Sequence, residues 1–265
     1  MSPTALTVAG SDPTGGAGLQ ADLKTFQALG AHGISVATLI TSQDTALVRS
    51  VYPLPAEVVR AQLEALLADV DVAAAKTGAL GSADTVGVVA GFVRDAGVPW
   101  VVDPVAQPSR GASLGGNEVL EALREALLPH AAIVTPNVEE AAALSGIAVE
   151  SLGDAERAAT RIAALGPNAV LVKGGHLPGD GRGIDVLWYE GSIVRLAPAR
   201  VLDVQVHGTG CALASAIACH LAHGRGTPEA VKRAKAWLET MLLRTFSLGR
   251  GAQLLNYLRP SEGKT

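Results

Sequence analysis

The chain has 265 residues, 48% of them hydrophobic and 17% charged, which is enough apolar material for one large core and excludes a disordered chain. A net charge of −4 and only 3% aromatic residues argue against a nucleic-acid or membrane-surface partner, which calls for basic faces and stacking rings. No apolar run reaches about 18 residues, and residues 1–12 lack the basic segment of an export signal, so the expectation is a soluble, cytoplasmic protein. Cys211 and Cys219 fall on one predicted helix, two turns and ~12 Å apart, too far for a local disulfide and in keeping with a reducing compartment.

Residues 5–10 read as a buried strand entering Ser11-Asp12-Pro13-Thr14-Gly15-Gly16-Ala17-Gly18, a loop of turn formers. A helix is predicted over 19–29, with Leu19, Leu23 and Phe26 on one face, followed by a strand over 33–40 and a polar segment over 41–45. Residues 55–69 have helical periodicity, 72–76 form a strand ending at Thr77-Gly78, and Ser82 caps a helix reaching Ala96. The apolar run 98–102, closed by Asp103-Pro104, has the character of a central parallel strand buried on both faces. A helix over 117–127, a strand over 132–135 and a helix over 139–144 come next. A helix over 154–165, a strand over 169–173 and a hairpin over 188–195 follow them. The last helix spans 228–243. This alternation predicts a single domain over 1–265, an α/β protein with a mostly parallel central sheet and helices on both faces.

Polar or glycine residues stand just past the strands: Asp12, Gln43, Gly78, Asp103, Asn137 and Gly174. In open α/β sheets that edge binds ligands. The segment His207-Gly208-Thr209-Gly210-Cys211 then runs into the small residues 212–218, which reads as a tight loop feeding a closely packed helix. Free N–H groups and the dipole at such a terminus form an anion site, and glycine lets a phosphate approach the main chain. Lys173 ends a buried strand, where an unpaired ammonium is costly, so an anionic partner is expected.

Four segments together carry a resemblance. They are residues 9–25, Thr135-Pro136-Asn137-Val138-Glu139-Glu140-Ala141, Val172-Lys173-Gly174-Gly175-His176 and His207-Gly208-Thr209-Gly210-Cys211. They resemble the hydroxymethylpyrimidine/phosphomethylpyrimidine kinases of thiamine biosynthesis, a family of the ribokinase-like superfamily, from about residue 5 to 257. The resemblance implies a three-layer α/β/α sandwich, ATP-dependent phosphorylation of a pyrimidine's hydroxymethyl group and then of its monophosphate, and a homodimer. It also implies that Gly10, Asp22 and Gln43 contact the pyrimidine, and that Asn137, Lys173, Gly175 and His207 serve ATP. Asp103 and Glu140 are expected to hold Mg²⁺, which keeps several waters and takes few protein carboxylates.

Gly208, Thr209 and Gly210 are expected to cradle the transferred phosphoryl group, and Cys211 to be the base. A helix N-terminus lowers a thiol's pKa, so the sequence predicts a thiolate near neutral pH. Ala79, the segment 105–111 with Ala106, and Val206 depart from the family pattern, and the small side chains predict a roomier acceptor pocket. The rival readings are a pyridoxal kinase of the same fold and a non-catalytic nucleotide-binding module. A Rossmann dehydrogenase is excluded because no Gly-x-Gly-x-x-Gly follows the first strand.

Overall fold

The computed structural model describes residues 2–105, 111–200 and 205–258. Its centre is a nine-stranded sheet. In chain order its strands are β1 (Thr4–Ser11), β2 (His32–Gln43), β3 (Val48–Pro53), β4 (Ala74–Thr77) and β5 (Trp100–Val102). They are followed by β6 (Ile133–Val134), β7 (Ala169–Val172), β8 (Asp185–Tyr189) and β9 (Ser192–Leu196). The spatial order is β3-β2-β1-β4-β5-β6-β7-β8-β9. The block from β2 to β7 is parallel, with antiparallel β3 on one edge and the β8–β9 hairpin on the other.

Period-two alternation divides the core. Leu6, Val8, Val102, Val134, Val170 and Val172 point into one cluster with α2 (Ala56–Leu67), α3 (Ala83–Asp95), α4 (Gly116–Ala122), α5 (Val138–Ser145) and α6 (Leu152–Ala163). Ala5, Val101, Ile133, Ala169 and Leu171 point to the opposite face, against α1 (Gly18–Ala28), α7 (Thr209–Ala222) and α8 (Thr227–Leu242). The α/β/α sandwich is as predicted. Ser82 accepts from Thr85 N–H as the cap of α3, and Asn137 and Glu140 form a reciprocal capping box at the start of α5.

Three features depart from the sequence expectation. The polar segment 41–45 is not all loop: β2 runs on to Gln43 because the unpredicted β3 pairs with it, Ile40 against Tyr52 and Ser42 against Ser50. The helix expected over 117–127 is α-helical only to Ala122 and then continues as a π turn over Leu123–Leu127. A small second sheet joins β10 (Val206–His207), β11 (Thr245–Phe246) and β12 (Gln253–Leu255). It ties the start of α7 to the chain's last described segment.

The strand order reverses direction between β1 and β4. Helices depart to opposite faces there, which leaves a crevice beyond the carboxyl ends of the two strands. α7 packs across β1, β4 and β5, so its first turn stands over that crevice.

Candidate active site

Local geometry brings the anion loop and the N-terminal loop into backbone contact. Gly208 caps α7 in the left-handed region, at φ +81°. A Cβ there would lie 1.8 Å from the Gly16 carbonyl oxygen, so both the conformation and the approach require glycine. At Gly210 an added Cβ would stand 3.2 Å from the Lys173 ammonium. The first turn of α7 therefore offers its N–H groups beside a fixed cation, which is an anion site with both of its usual ingredients.

Asp12, just past β1, shapes the N-terminal loop. It is buried, and its carboxylate accepts from Thr14 N–H and Ala17 N–H, each at 2.9 Å, from the Thr14 hydroxyl and from His207 Nε2 at 3.0 Å. Burial raises the Asp12 carboxyl, but the hydrogen bonds from His207 and Thr14 outweigh it and hold it below the usual range. Asp12 and His207 thus lock one loop to the other, so His207, expected to serve ATP, is engaged on the acceptor side.

Gln43, at the end of β2, lies 3.0 Å from the same His207 Nε2, and its other amide atom is 3.2 Å from the Thr41 hydroxyl. One ring nitrogen cannot donate to Asp12 and accept from Gln43, and the Thr41 proton already goes to the Ser11 carbonyl at 2.9 Å. Both conflicts vanish when the Gln43 amide is oriented with its oxygen toward His207 and its nitrogen toward Thr41. His207 then donates to Asp12 and Gln43, and Gln43 donates to Thr41. One amide N–H and one oxygen lone pair of Gln43 stay free, the pair an aminopyrimidine edge needs.

The other half of the site lies past β5, β6 and β7. Asp103 is almost fully buried; its Oδ1 accepts from Lys173 Nζ at 2.8 Å and Thr135 Oγ1 at 3.0 Å, while its Oδ2 is buried with no partner. Glu140, buried at the start of α5, spends Oε2 on the Asn137 N–H at 2.8 Å. Burial raises its pKa, Lys173 pulls it down and Asp103 pushes it up, leaving it at about 7. Lys173 is lowered by burial but raised further by Asp103 and Glu140, and stays charged. An orphaned buried carboxylate oxygen beside a carboxyl that holds its proton toward neutrality fits a divalent cation. Among the described residues no group of three or more His, Cys, Asp or Glu is poised for a metal, so the remaining ligands would be phosphate and water, as suits Mg²⁺.

Most of the expected site residues converge on this edge. Gly10 ends the buried part of β1, and Gly175, exposed and with open space around it, follows Lys173 and Gly174. Asp22 is different. It is fully buried beneath the crevice, accepting from Thr7 and Ser215 hydroxyls at 2.7 Å each and from Lys76 Nζ at 2.8 Å. It is neither an exposed first-turn acid nor free to present an oxygen to a ligand.

Cys211 also departs from expectation. Burial pushes its thiol up to about 11, because Asp22 and Asp103 add to the burial, and Lys76 and a hydrogen bond from Gly18 N–H only partly offset it. The helix start does not make it a resting thiolate. Ala79, half-buried, accepts from the Thr38 hydroxyl through its carbonyl; Ala106 lies outside the described residues. Sequence reasoning overlooked Lys76, although the argument made for Lys173, a lysine closing a buried strand, applies to it unchanged.

Comparison with known proteins gives the family. The phosphomethylpyrimidine kinase family matches residues 12–256. The hydroxymethylpyrimidine/phosphomethylpyrimidine kinase of Streptomyces coelicolor is 45% identical over 249 residues, covering 94% of this chain and 92% of that protein. The crystal structure of phosphomethylpyrimidine kinase from Clostridium difficile is similar at a TM-score of 0.80 and 36% identity, covering 91% of this chain and 99% of that one. Pyridoxal kinase from Staphylococcus aureus, in complex with AMP-PCP and pyridoxal, is similar at a TM-score of 0.88 and 33% identity, covering 97% and 94%.

Proposed function

The chain belongs to the phosphomethylpyrimidine kinase family, and from that premise we propose how its strand-end site carries the family's reaction. It is an ATP-using kinase of thiamine biosynthesis that phosphorylates the hydroxymethyl group of an aminopyrimidine and then the resulting monophosphate. The observation that carries the site assignment is the backbone contact between Gly208 and Gly16, which brings the phosphate loop against the loop that follows β1.

In this reading Gln43 and the backbone at Gly10 orient the ring, so that the hydroxymethyl oxygen faces the first turn of α7. The oxygen bonds to the γ-phosphorus in line as the bond to ADP breaks, and the hydroxyl proton goes to the Cys211 sulfur in the fraction of the protein that carries it as thiolate, a minor fraction at neutral pH because the thiol is raised. Negative charge on the transferred group is met by the N–H groups of Thr209, Gly210 and Cys211 and by Lys173. Asn137 and Glu140 fix the start of α5 through their capping box, and Gly175 leaves room for the nucleotide on the open side of Lys173. Asp103 and Glu140 would hold Mg²⁺, which would supply charge neutralisation of the phosphates.

The exposed side chains of Ile40 and Tyr52, paired across β2 and β3, are the surface we assign to a homodimer contact. We assign the chain to the cytoplasm on its two free cysteines and assign it no nucleic-acid partner on its net charge. No helix among the described residues is long and apolar enough to cross a membrane.

A second acceptor, pyridoxal, is favoured by the fold shared with pyridoxal kinases and by the small side chain of Ala79, two residues past β4. ADP release with Mg-ATP, measured against hydroxymethylpyrimidine, its monophosphate and pyridoxal, tests the proposal. Turnover of both pyrimidines with little on pyridoxal is the expected result. Comparable turnover of pyridoxal would widen the acceptor class, and no turnover of any would return the chain to a nucleotide-binding module.

A further inference from the structure

The mechanism above leaves the buried Lys76–Asp22 pair unused. Lys76, in β4, is fully buried, and its ammonium lies 2.8 Å from Asp22 Oδ2. Asp22 is held in turn by Thr7 from β1 and by Ser215 from α7. Ser215 is one turn beyond Cys211, so the two side chains share a helix face, and that face is packed on β4. The far side of the ammonium abuts Gly78, where an added Cβ would stand 3.0 Å from Nζ, at the mouth of the crevice between β1 and β4. An ammonium has three donors. Asp22 is the one hydrogen-bond acceptor of Lys76 among the described residues, which leaves two donors over.

A core built for stability alone gains little from such a pair, since a buried ion pair rarely outperforms apolar residues of the same volume. Its position gives it a use. We propose that Lys76 is a positioning residue for Cys211. Its ammonium, fixed by Asp22 beneath the first turn of α7, steadies the negative charge on the sulfur that receives the acceptor's proton. This rests on the proton-acceptor reading of Cys211 given above. The proton moves from the acceptor oxygen to sulfur, and Lys76 keeps its own three protons throughout.

The surroundings agree. Five titratable groups face the sulfur: Asp22 from α1, Lys76 from β4, Asp103 past β5, Lys173 past β7 and Tyr257 near the chain's end. Of these, Lys76 is the strongest influence that lowers the thiol, ahead of the opposing push from Asp22. Lys173 on the other flank is engaged by Asp103 and abuts Gly210. The two lysines thus divide the loop, one serving the phosphate and one the sulfur.

The test reads Cys211 directly. Removing Lys76 alone leaves Asp22 an uncompensated buried charge, so the Lys76→Met/Asp22→Asn variant is made alongside Lys76→Met; Thr7 and Ser215 keep an acceptor in it. Cys211 is alkylated with iodoacetamide and, separately, with the smaller methyl methanethiosulfonate across neutral to mildly alkaline pH, with Cys211→Ala as the blank for Cys219. The expected result in Lys76→Met is about a tenfold slower reaction at each pH, a one-unit change in the thiol's titration, and the same ratio for both reagents, with a smaller slowing in the double variant, where the opposing push of Asp22 is removed as well. kcat for the hydroxymethyl acceptor is expected to fall by about the same factor with both KM values within about twofold. Unchanged alkylation rates, or a drop confined to the larger reagent, would overturn the proposal. Turnover does not enter the alkylation readout, so full activity in Cys211→Ala, which would remove the proton-acceptor role, is distinguishable from loss of the Lys76 coupling.

Discussion

The two halves of the site are built on opposite principles. On the acceptor side, Asp12, His207, Gln43 and Thr41 form a closed chain in which each donor has an acceptor, leaving one donor and one acceptor on Gln43 for a ligand. On the phosphate side, Asp103 keeps a buried oxygen without a partner and Glu140 is raised to about 7 by burial and by its neighbours. The first half is preorganised and neutral in its demands; the second is electrostatically incomplete until its ligand arrives. The difference matches the tasks. A ring must be oriented, which needs rigid hydrogen bonds, whereas a transferring phosphoryl group brings its own charge and cation, which need sites held open for them.

The most severe test of that contrast is Asp103→Asn. It removes a carboxylate from the incomplete half and leaves Lys173 without its ion-pair partner, so kcat/KM is expected to fall by about 10³-fold or more, while the pyrimidine's affinity stays within about twofold. Steady-state kinetics with direct pyrimidine binding checks it; a parallel loss of pyrimidine affinity would show that the halves are not separate.

Cys211→Ala is expected to lower turnover of the hydroxymethyl acceptor by about 10²-fold or more. The second phosphorylation should suffer far less, because a phosphate monoester, with a second pKa near 6, is already an anion and has no proton to give up at neutral pH. Equal losses in the two steps would remove the base role. In the wild type, the raised thiol means that turnover of the hydroxymethyl acceptor should climb with pH from neutrality toward about 11, since the thiolate fraction grows throughout that range.

Gln43→Ala probes the complete half and should raise the acceptor KM about tenfold, the value of one or two lost hydrogen bonds, with the ATP KM unchanged. The smallest expected effect is on stability. Glu140 binds its proton more tightly folded than unfolded, so its contribution is full in acid and is lost as pH rises through about 7. Glu140→Gln is therefore expected to flatten the fall in Tm between mildly acidic and mildly alkaline pH. An unaltered slope would place the titration elsewhere.

Much of this was legible in the sequence, for identifiable reasons. Strands in a parallel sheet end at one edge, so the polar stops at Asp12, Gln43, Asp103 and Asn137 marked the site before any contact was known. β3 was missed because its six residues mix Arg49 and Ser50 with a terminal proline, and its pairing with β2 is not visible in local pattern. β11 and β12 have two and three residues, too few to show a period. Asp22 was readable in hindsight. It lies three residues after Leu19 and four before Phe26, on the buried stripe of α1, where a carboxylate demands a partner in the core. The raised thiol of Cys211 was not readable, because it depends on burial and on carboxylates from α1 and from the segment after β5 that only the fold assembles.

The measurement that tests the contrast most directly is calorimetry of Mg-ATP and of the pyrimidine, each in buffers of different ionisation enthalpy near pH 7. Mg-ATP binding is expected to release a fraction of a proton from Glu140, seen as a buffer-dependent heat that Glu140→Gln abolishes, while pyrimidine binding is buffer-independent. Buffer-independent heats for Mg-ATP, or proton release that survives in Glu140→Gln, would contradict the picture of a phosphate half completed by its ligand.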